Sequence, residues 1–294
     1  MSKRGGRIFE GVATALITPF RKGEIDEDAL RGLIERQLDA NVSAILVAGT
    51  TGESATLTLK EHHRLVALAK EQIGGRVPLL AGCGSNSTAR AILLAESARD
   101  AGADALLAVT PYYNKASDRG LVLHYQAIAD ATPLPLILYN VPSRTGFHIT
   151  MEMYRALATH PRIVGVKEAS GDLDLLEQLC AECGEEVDVF TGNDAQLVSA
   201  MKLGAVGVIS VYSNLYPERM IALYRLCADG EWHAAEELRR KALPQMNALF
   251  YEVNPIPVKY LASRMGLCEP EYRLPLCPPS DATVKRLETV FWES

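Results

Sequence analysis

The strongest constraint on this chain is a regular alternation of short, nearly uncharged apolar runs with longer amphipathic stretches. The runs fall at 11–16, 44–48, 77–81, 105–109, 135–139, 163–167, 187–191 and 206–210. Each is a continuous run of small and branched apolar residues, as a strand requires when helices cover both faces of a parallel sheet. Helix-period stretches lie between them at 26–40, 59–73, 87–101, 118–131, 172–183 and 194–203. Asp26, Thr58, Ser87, Asp118, Thr150 and Asp172 stand where N-caps belong, and Asn41, Gly74, Gly102, Gly184 and Gly204 stand at the stops. Eight strand-helix units in series, with the last helix at 217–228, predict a closed (β/α)8 TIM barrel over residues 1–229. Residues 230–294 read as a C-terminal helical extension with helices at 231–251, 255–265 and 283–292, and no linker-like segment separates it.

A doubly wound sheet also alternates strands and helices. Gly82-Cys83-Gly84-Ser85-Asn86-Ser87 resembles a dinucleotide loop, but Ser87 replaces the third glycine and Asp104 precedes its strand instead of ending it, which argues against that use. The balance of 30 basic and 36 acidic residues, net charge -6, offers no electrostatic handle for nucleic acid. The longest basic blocks are Lys3-Arg4 and Arg239-Arg240-Lys241. No apolar run approaches the roughly 18–20 residues that span a bilayer, and the first ten residues lack a signal-peptide core, so a cytoplasmic protein without a membrane partner is expected. Cys180 and Cys183 form a lone C-x-x-C without a second ligand pair, and the six histidines lack metal-ligand spacing; no metal or other cofactor is expected.

In a (β/α)8 barrel, chemistry sits where the strands end. The residues there are Thr50-Thr51-Gly52-Glu53-Ser54 after the second strand, Tyr112-Tyr113 after the fourth, Tyr139 to Gly146 after the fifth, and Lys167-Glu168 at the end of the sixth. Lys167 closes the run Ile163-Val164-Gly165-Val166, and apolar walls disfavour its ammonium form. A neutral lysine can condense with a ketone or aldehyde to give a Schiff base; equally, it can reach past the rim into solvent or pair with Glu168. Schiff-base chemistry also needs groups that both donate and accept protons, as the hydroxyls of Tyr139, Thr50 and Tyr113 do. Glu53 and Glu168 have no evident acid-base task and read as structural.

The segments GTTGESATL (49–57), VTPYYNK (109–115), ILYNVPSRTG (137–146), VKEASGD (166–172) and NPIPVK (254–259) together resemble the dihydrodipicolinate synthase family, within the class I aldolase superfamily that also holds N-acetylneuraminate lyase and 2-keto-3-deoxy sugar acid aldolases. The resemblance runs from about residue 11 to residue 275. It implies condensation of pyruvate with L-aspartate 4-semialdehyde to 4-hydroxy-tetrahydrodipicolinate, towards diaminopimelate and lysine. Lys167 matches the Schiff-base lysine and Tyr139 the proton donor and acceptor, with Thr50 and Tyr113 completing the hydroxyl relay. The phenol matching Tyr113 is supplied across a dimer interface, which implies a homotetramer built as a dimer of dimers. Thr51 and Ile209 match pyruvate-holding positions, and Arg144 matches the residue that meets the semialdehyde carboxylate, a role its planar donor fork suits. The alternatives are a lyase acting on N-acetylneuraminate or a 2-keto-3-deoxy sugar acid, and a non-catalytic ligand-binding barrel.

Ser54, Ala55, His62, Asn86 and Tyr112 match a lysine effector pocket. Leu59 and Arg90 depart from it, standing where lysine-inhibited relatives carry a histidine and a glutamate. At helical spacing Asn86 and Arg90 lie on one face, so the Arg90 guanidinium is expected to point at the place of the effector's ammonium. Two further departures, Asn193 in place of an acid and the bulky run Tyr212-Ser213-Asn214-Leu215-Tyr216, bear on the second substrate.

Overall fold

The structure, a computed structural model, describes residues 7–293; the basic pair Lys3-Arg4 lies outside them. Eight parallel strands close into a barrel in sequence order: β1 (Gly11–Ala15), β2 (Ala44–Val47), β3 (Leu79–Gly82), β4 (Ala105–Val109), β5 (Leu136–Asn140), β6 (Ile163–Glu168), β7 (Asp188–Thr191) and β8 (Gly207–Ser210), with β8 returning to β1. At the seam Gly11 pairs with Gly207, and a Cβ on Gly207 would lie 2.0 Å from the Gly11 carbonyl oxygen. Only glycine allows the last strand to approach the first this closely.

Side chains alternate across each strand. The inward set, including Ala13, Ala15, Ala44, Leu46, Leu80, Ala105, Leu107, Ile137, Phe190 and Ile209, fills the barrel. Phe9 stacks on Phe190 with ring centroids 4.3 Å apart. The outward set packs against the helices α1 (Glu27–Asp39), α2 (Leu59–Ile73), α3 (Thr88–Asp100), α4 (Asp118–Ala131), α5 (Met151–Ala158), α6 (Leu173–Cys183), α7 (Leu197–Lys202) and α8 (Pro217–Ala228). Asp26, Thr58, Ser87, Thr150 and Asp172 each cap their helix by accepting a backbone N–H, as the sequence suggests. The fourth helix is capped by Ser117 instead of Asp118; Asp118 is its first residue.

Four local features have no periodic signature and escape the sequence reading: a hairpin of Phe20–Arg21 with Glu24–Ile25, one helical turn at Pro142–Thr145, and tight turns at Ser54–Thr56 and Tyr212–Asn214. The stretch expected as a helix from residue 194 begins as a tighter turn, Asp194–Gln196, because the Asp194 carboxylate accepts the amides of Val211 and Tyr212 from across the loop. The extension adds α9 (Trp232–Ala248), α10 (Ile256–Arg264) and α11 (Asp281–Glu288). None of the six cysteines is joined in a disulfide among the described residues. No helix among the described residues is long and apolar enough to cross a membrane.

The extension is tied to the barrel through a buried ion pair. Lys259 Nζ of α10 lies 2.5 Å from Glu53 Oε1 after β2, with both side chains fully shielded from solvent. Glu53 Oε2 also accepts the Arg273 amide at 3.2 Å, and Lys259 Nζ sits 4.2 Å from the Phe20 ring centroid. Removing one member of such a pair leaves the other charged and desolvated. K259M is therefore expected to destabilise the chain by about 3–5 kcal/mol. E53Q/K259M should recover most of that loss, since the neutral amide side chain it places after β2 can still accept from the Arg273 amide; urea-unfolding midpoints check both.

Candidate active site

The ends of β2, β5, β6 and β8 bring Thr50, Thr51, Tyr139, Lys167 and Ile209 to one mouth of the barrel. Tyr139 and Lys167 are register partners on β5 and β6, and Lys167 Nζ lies 4.4 Å from the Tyr139 ring centroid. Strand alternation turns Lys167 inward and Glu168 outward. Glu168 accepts from Asn140 Nδ2, the Tyr154 hydroxyl and the Ser170 amide, which accounts for its burial without any pairing to Lys167. Gly192, after β7, makes room for the lysine: a Cβ there would lie 2.9 Å from Lys167 Cε.

Lys167 is 5% exposed. Burial pulls its amine from the ordinary 10.5 down to about 8; Asp194 opposes the shift and Arg144 assists it. By simple titration this raises the neutral fraction at pH 7 from about 0.03% to roughly 10%. Tyr139 moves the other way: burial raises its phenol, while the Arg144 charge and a hydrogen bond with Thr50 partly offset the rise. The pairing thus sets a lysine with an accessible neutral form beside a phenol that keeps its proton, a combination suited to carbonyl addition with proton transfer.

A cavity of about 330 Å³ opens at this mouth, with Thr50, Tyr139, Arg144 and Asn254 in its wall. Arg144 sits on the helical turn after β5, exposed at the rim. Thr51 is buried beside Thr50, and Ile209 lies on the inner face of β8. Tyr113 stands apart from this group: it is 91% exposed and held at φ 70°, a left-handed conformation uncommon for a bulky residue.

Ser54, Ala55, His62, Tyr112 and Arg90 line another part of the same cavity. His62 is buried, its Nε2 2.8 Å from the Gly82 carbonyl oxygen, and burial lowers its pKa below the ordinary histidine value. Asn86 and Leu59 are exposed and are not among the lining residues. The expected helical relation of Asn86 to Arg90 is corrected here: α3 starts after the Ser87 cap, so Asn86 precedes the helix.

Four residues have no role in the sequence reading. Asp194 is buried, with Oδ2 accepting the Val211 and Tyr212 amides at 3.0 and 2.9 Å, and its charge acts on Lys167. Asn254, Lys259 and Arg273 reach the loop after β2 from the extension. Asn254 and Lys259 lie within the NPIPVK segment, but nothing in its spacing indicates what they touch some 200 positions earlier. The bulky run after β8 turns outward: Tyr212 is fully buried and its hydroxyl donates to Gln245 of α9. Among the described residues no cluster of His, Cys, Asp or Glu is arranged to hold a metal ion.

Comparison with known proteins agrees with this arrangement. The model of the dihydrodipicolinate synthetase family matches residues 8–292. The 4-hydroxy-tetrahydrodipicolinate synthase of Geobacter sulfurreducens is 46% identical over 97% of this chain and 99% of its own length. The crystal structure of dihydrodipicolinate synthase from Aquifex aeolicus superposes with a TM-score of 0.95 at 40% identity, covering 97% of this chain and 98% of that one. A lysine-bound enzyme of the same name from Cyanidioschyzon merolae has a TM-score of 0.93 at 35% identity, covering 97% and 98%. With barrel, strand-end residues and both whole-length comparisons in agreement, the chain belongs to the dihydrodipicolinate synthetase family.

Proposed function

We propose that this protein is a 4-hydroxy-tetrahydrodipicolinate synthase that condenses pyruvate with L-aspartate 4-semialdehyde. The observation that carries the reading is the buried Lys167, in register with Tyr139 and with its amine pulled down to about 8. In this reading the neutral amine adds to the pyruvate ketone, and loss of water leaves an iminium. Its nitrogen withdraws electrons, so a methyl proton departs and an enamine forms. The enamine carbon attacks the aldehyde carbon, making the new C–C bond. The amine of the condensed chain then adds to the iminium carbon and expels Lys167, closing the ring.

Tyr139 is the proton donor and acceptor of these steps, with Thr50 and Tyr113 as relay members. Thr51 and Ile209 hold pyruvate, and Arg144 meets the carboxylate of the semialdehyde. The exposure of Tyr113 supports a relay completed between two copies of the chain, in a dimer and from it a tetramer. Sedimentation as a fully active monomer at assay concentration contradicts that assembly. The stretch 1–229 serves as the catalytic barrel, with 230–294 as its supporting helical region. A substrate panel tests the activity itself. Turnover of aspartate semialdehyde with pyruvate is expected to exceed cleavage of N-acetylneuraminate or 2-keto-3-deoxygluconate by orders of magnitude, and the reverse ranking overturns the assignment.

Two further outcomes follow from the charges at the site. Only the neutral amine reacts, so the rate of pyruvate adduct formation should rise with pH and level off above about 8. Because Arg144 helps to lower the amine's pKa, R144L should move that midpoint upward, towards the ordinary lysine value; stopped-flow rates from pH 6 to 10 read both. Arg90 lines the neighbouring part of the cavity, so a lysine effector bound there would bring a second cation beside its guanidinium. Like-charge juxtaposition costs several kcal/mol in a partly shielded site. Half-inhibition by L-lysine is therefore expected above about 1 mM, corresponding to binding weaker than roughly 4 kcal/mol. An inhibition curve at saturating substrates measures it.

A further inference from the structure

The segment between α9 and α10 carries Asn254, which is 5% exposed and lies in the cavity wall beside Thr50, Tyr139 and Arg144. Its Nδ2 donates to Thr51 Oγ1 at 3.0 Å, and its Oδ1 is buried with no hydrogen-bond partner. Nearby, Lys259 and the Arg273 amide hold the Glu53 carboxylate, so the extension grips the loop after β2 at two points. A threonine hydroxyl has one proton to donate and two lone pairs to accept with. An amide N–H directed at Oγ1 occupies a lone pair and leaves the Thr51 proton available for a different acceptor.

We propose that Asn254 is a positioning residue for the 2-keto acid. Its donation to Thr51 Oγ1 turns the threonine proton towards the substrate carboxylate, so a residue outside the barrel sets affinity for the first substrate. This inference rests on Thr51 as the carboxylate contact and Lys167 as the nucleophile. It extends that reading by giving the C-terminal extension a part in ground-state binding. The arrangement is directional. Aspartate at position 254 has the same size and shape but, when ionised, can only accept; it would draw the Thr51 proton to itself and set a second negative charge near the incoming carboxylate.

The test uses the full-length protein with pyruvate, reading adduct formation by borohydride trapping across pyruvate concentrations, together with steady-state KM values for both substrates. N254A is expected to weaken pyruvate binding about tenfold, the size of one hydrogen bond serving a charged group. The KM for aspartate semialdehyde and the limiting trapping rate should stay within about twofold. N254D is expected to weaken pyruvate binding more than N254A does, despite its closer match in shape. In a T51V background N254A should have no further effect, because residues acting through one contact are not additive. A purely structural role predicts the opposite ranking of the two variants and losses that add in the double variant. Either result overturns the proposal, as does unchanged pyruvate affinity in N254A. If N254A does not fold, N254D alone decides, since weaker pyruvate binding supports the proposal and unaltered binding overturns it. No adduct in the unaltered chain contradicts the functional reading itself, whereas an adduct in the unaltered chain with unaltered affinity in the variants overturns only this inference.

Discussion

Eight parallel strands can share one interior only if the last returns to the first, and here the return is made where Gly207 lies against the carbonyl of Gly11. Everything at the mouth depends on that closure. It leaves no sheet edge, packs small inward residues into a solid interior, and directs the loops after β2, β4, β5, β6 and β8 over the same opening. Register then fixes which side chains meet. A slip of one residue between β5 and β6 would turn Lys167 towards the helices and bring Glu168 inward.

Burial gives the lysine its chemistry. A charged amine inside the barrel is disfavoured by lost hydration, and Asp194 offsets only part of that penalty. Asp194 also accepts two amides from the loop after β8, so the charge opposing the shift is held in place by the loop that follows Ile209. Glu53 and Lys259 show the contrasting case, two buried charges in direct contact that join the extension to the barrel. Burial disfavours the ammonium form of both lysines; contact with the Glu53 carboxylate opposes the shift at Lys259 and makes it a tie, whereas Lys167 faces Asp194 only at longer range.

Much of this is legible in the sequence. All eight strands lie within two residues of the apolar runs, because strands covered on both faces must be continuously apolar. Lys167 and Tyr139 can be placed on adjacent strands from chain order alone, and four of the five motifs that carry the family resemblance lie at strand ends, the fifth, NPIPVK, lying in the extension. Elements shaped by distant contacts are not legible. The tight turn at Asp194 follows from amides donated at residues 211 and 212, and the roles of Asn254 and Lys259 follow from side chains about 200 positions away. Asn86 falls outside the helix face expected of it because it precedes the Ser87 cap, a start that the sequence itself marks.

Lys167 as the covalent nucleophile is the claim on which the catalytic reading stands. Incubation with pyruvate, borohydride reduction and peptide mass mapping test it directly. A single pyruvyl adduct on the peptide containing Lys167, absent without pyruvate, is expected. No adduct, or one carried by Lys259 or a surface lysine while Lys167 stays unmodified, contradicts it.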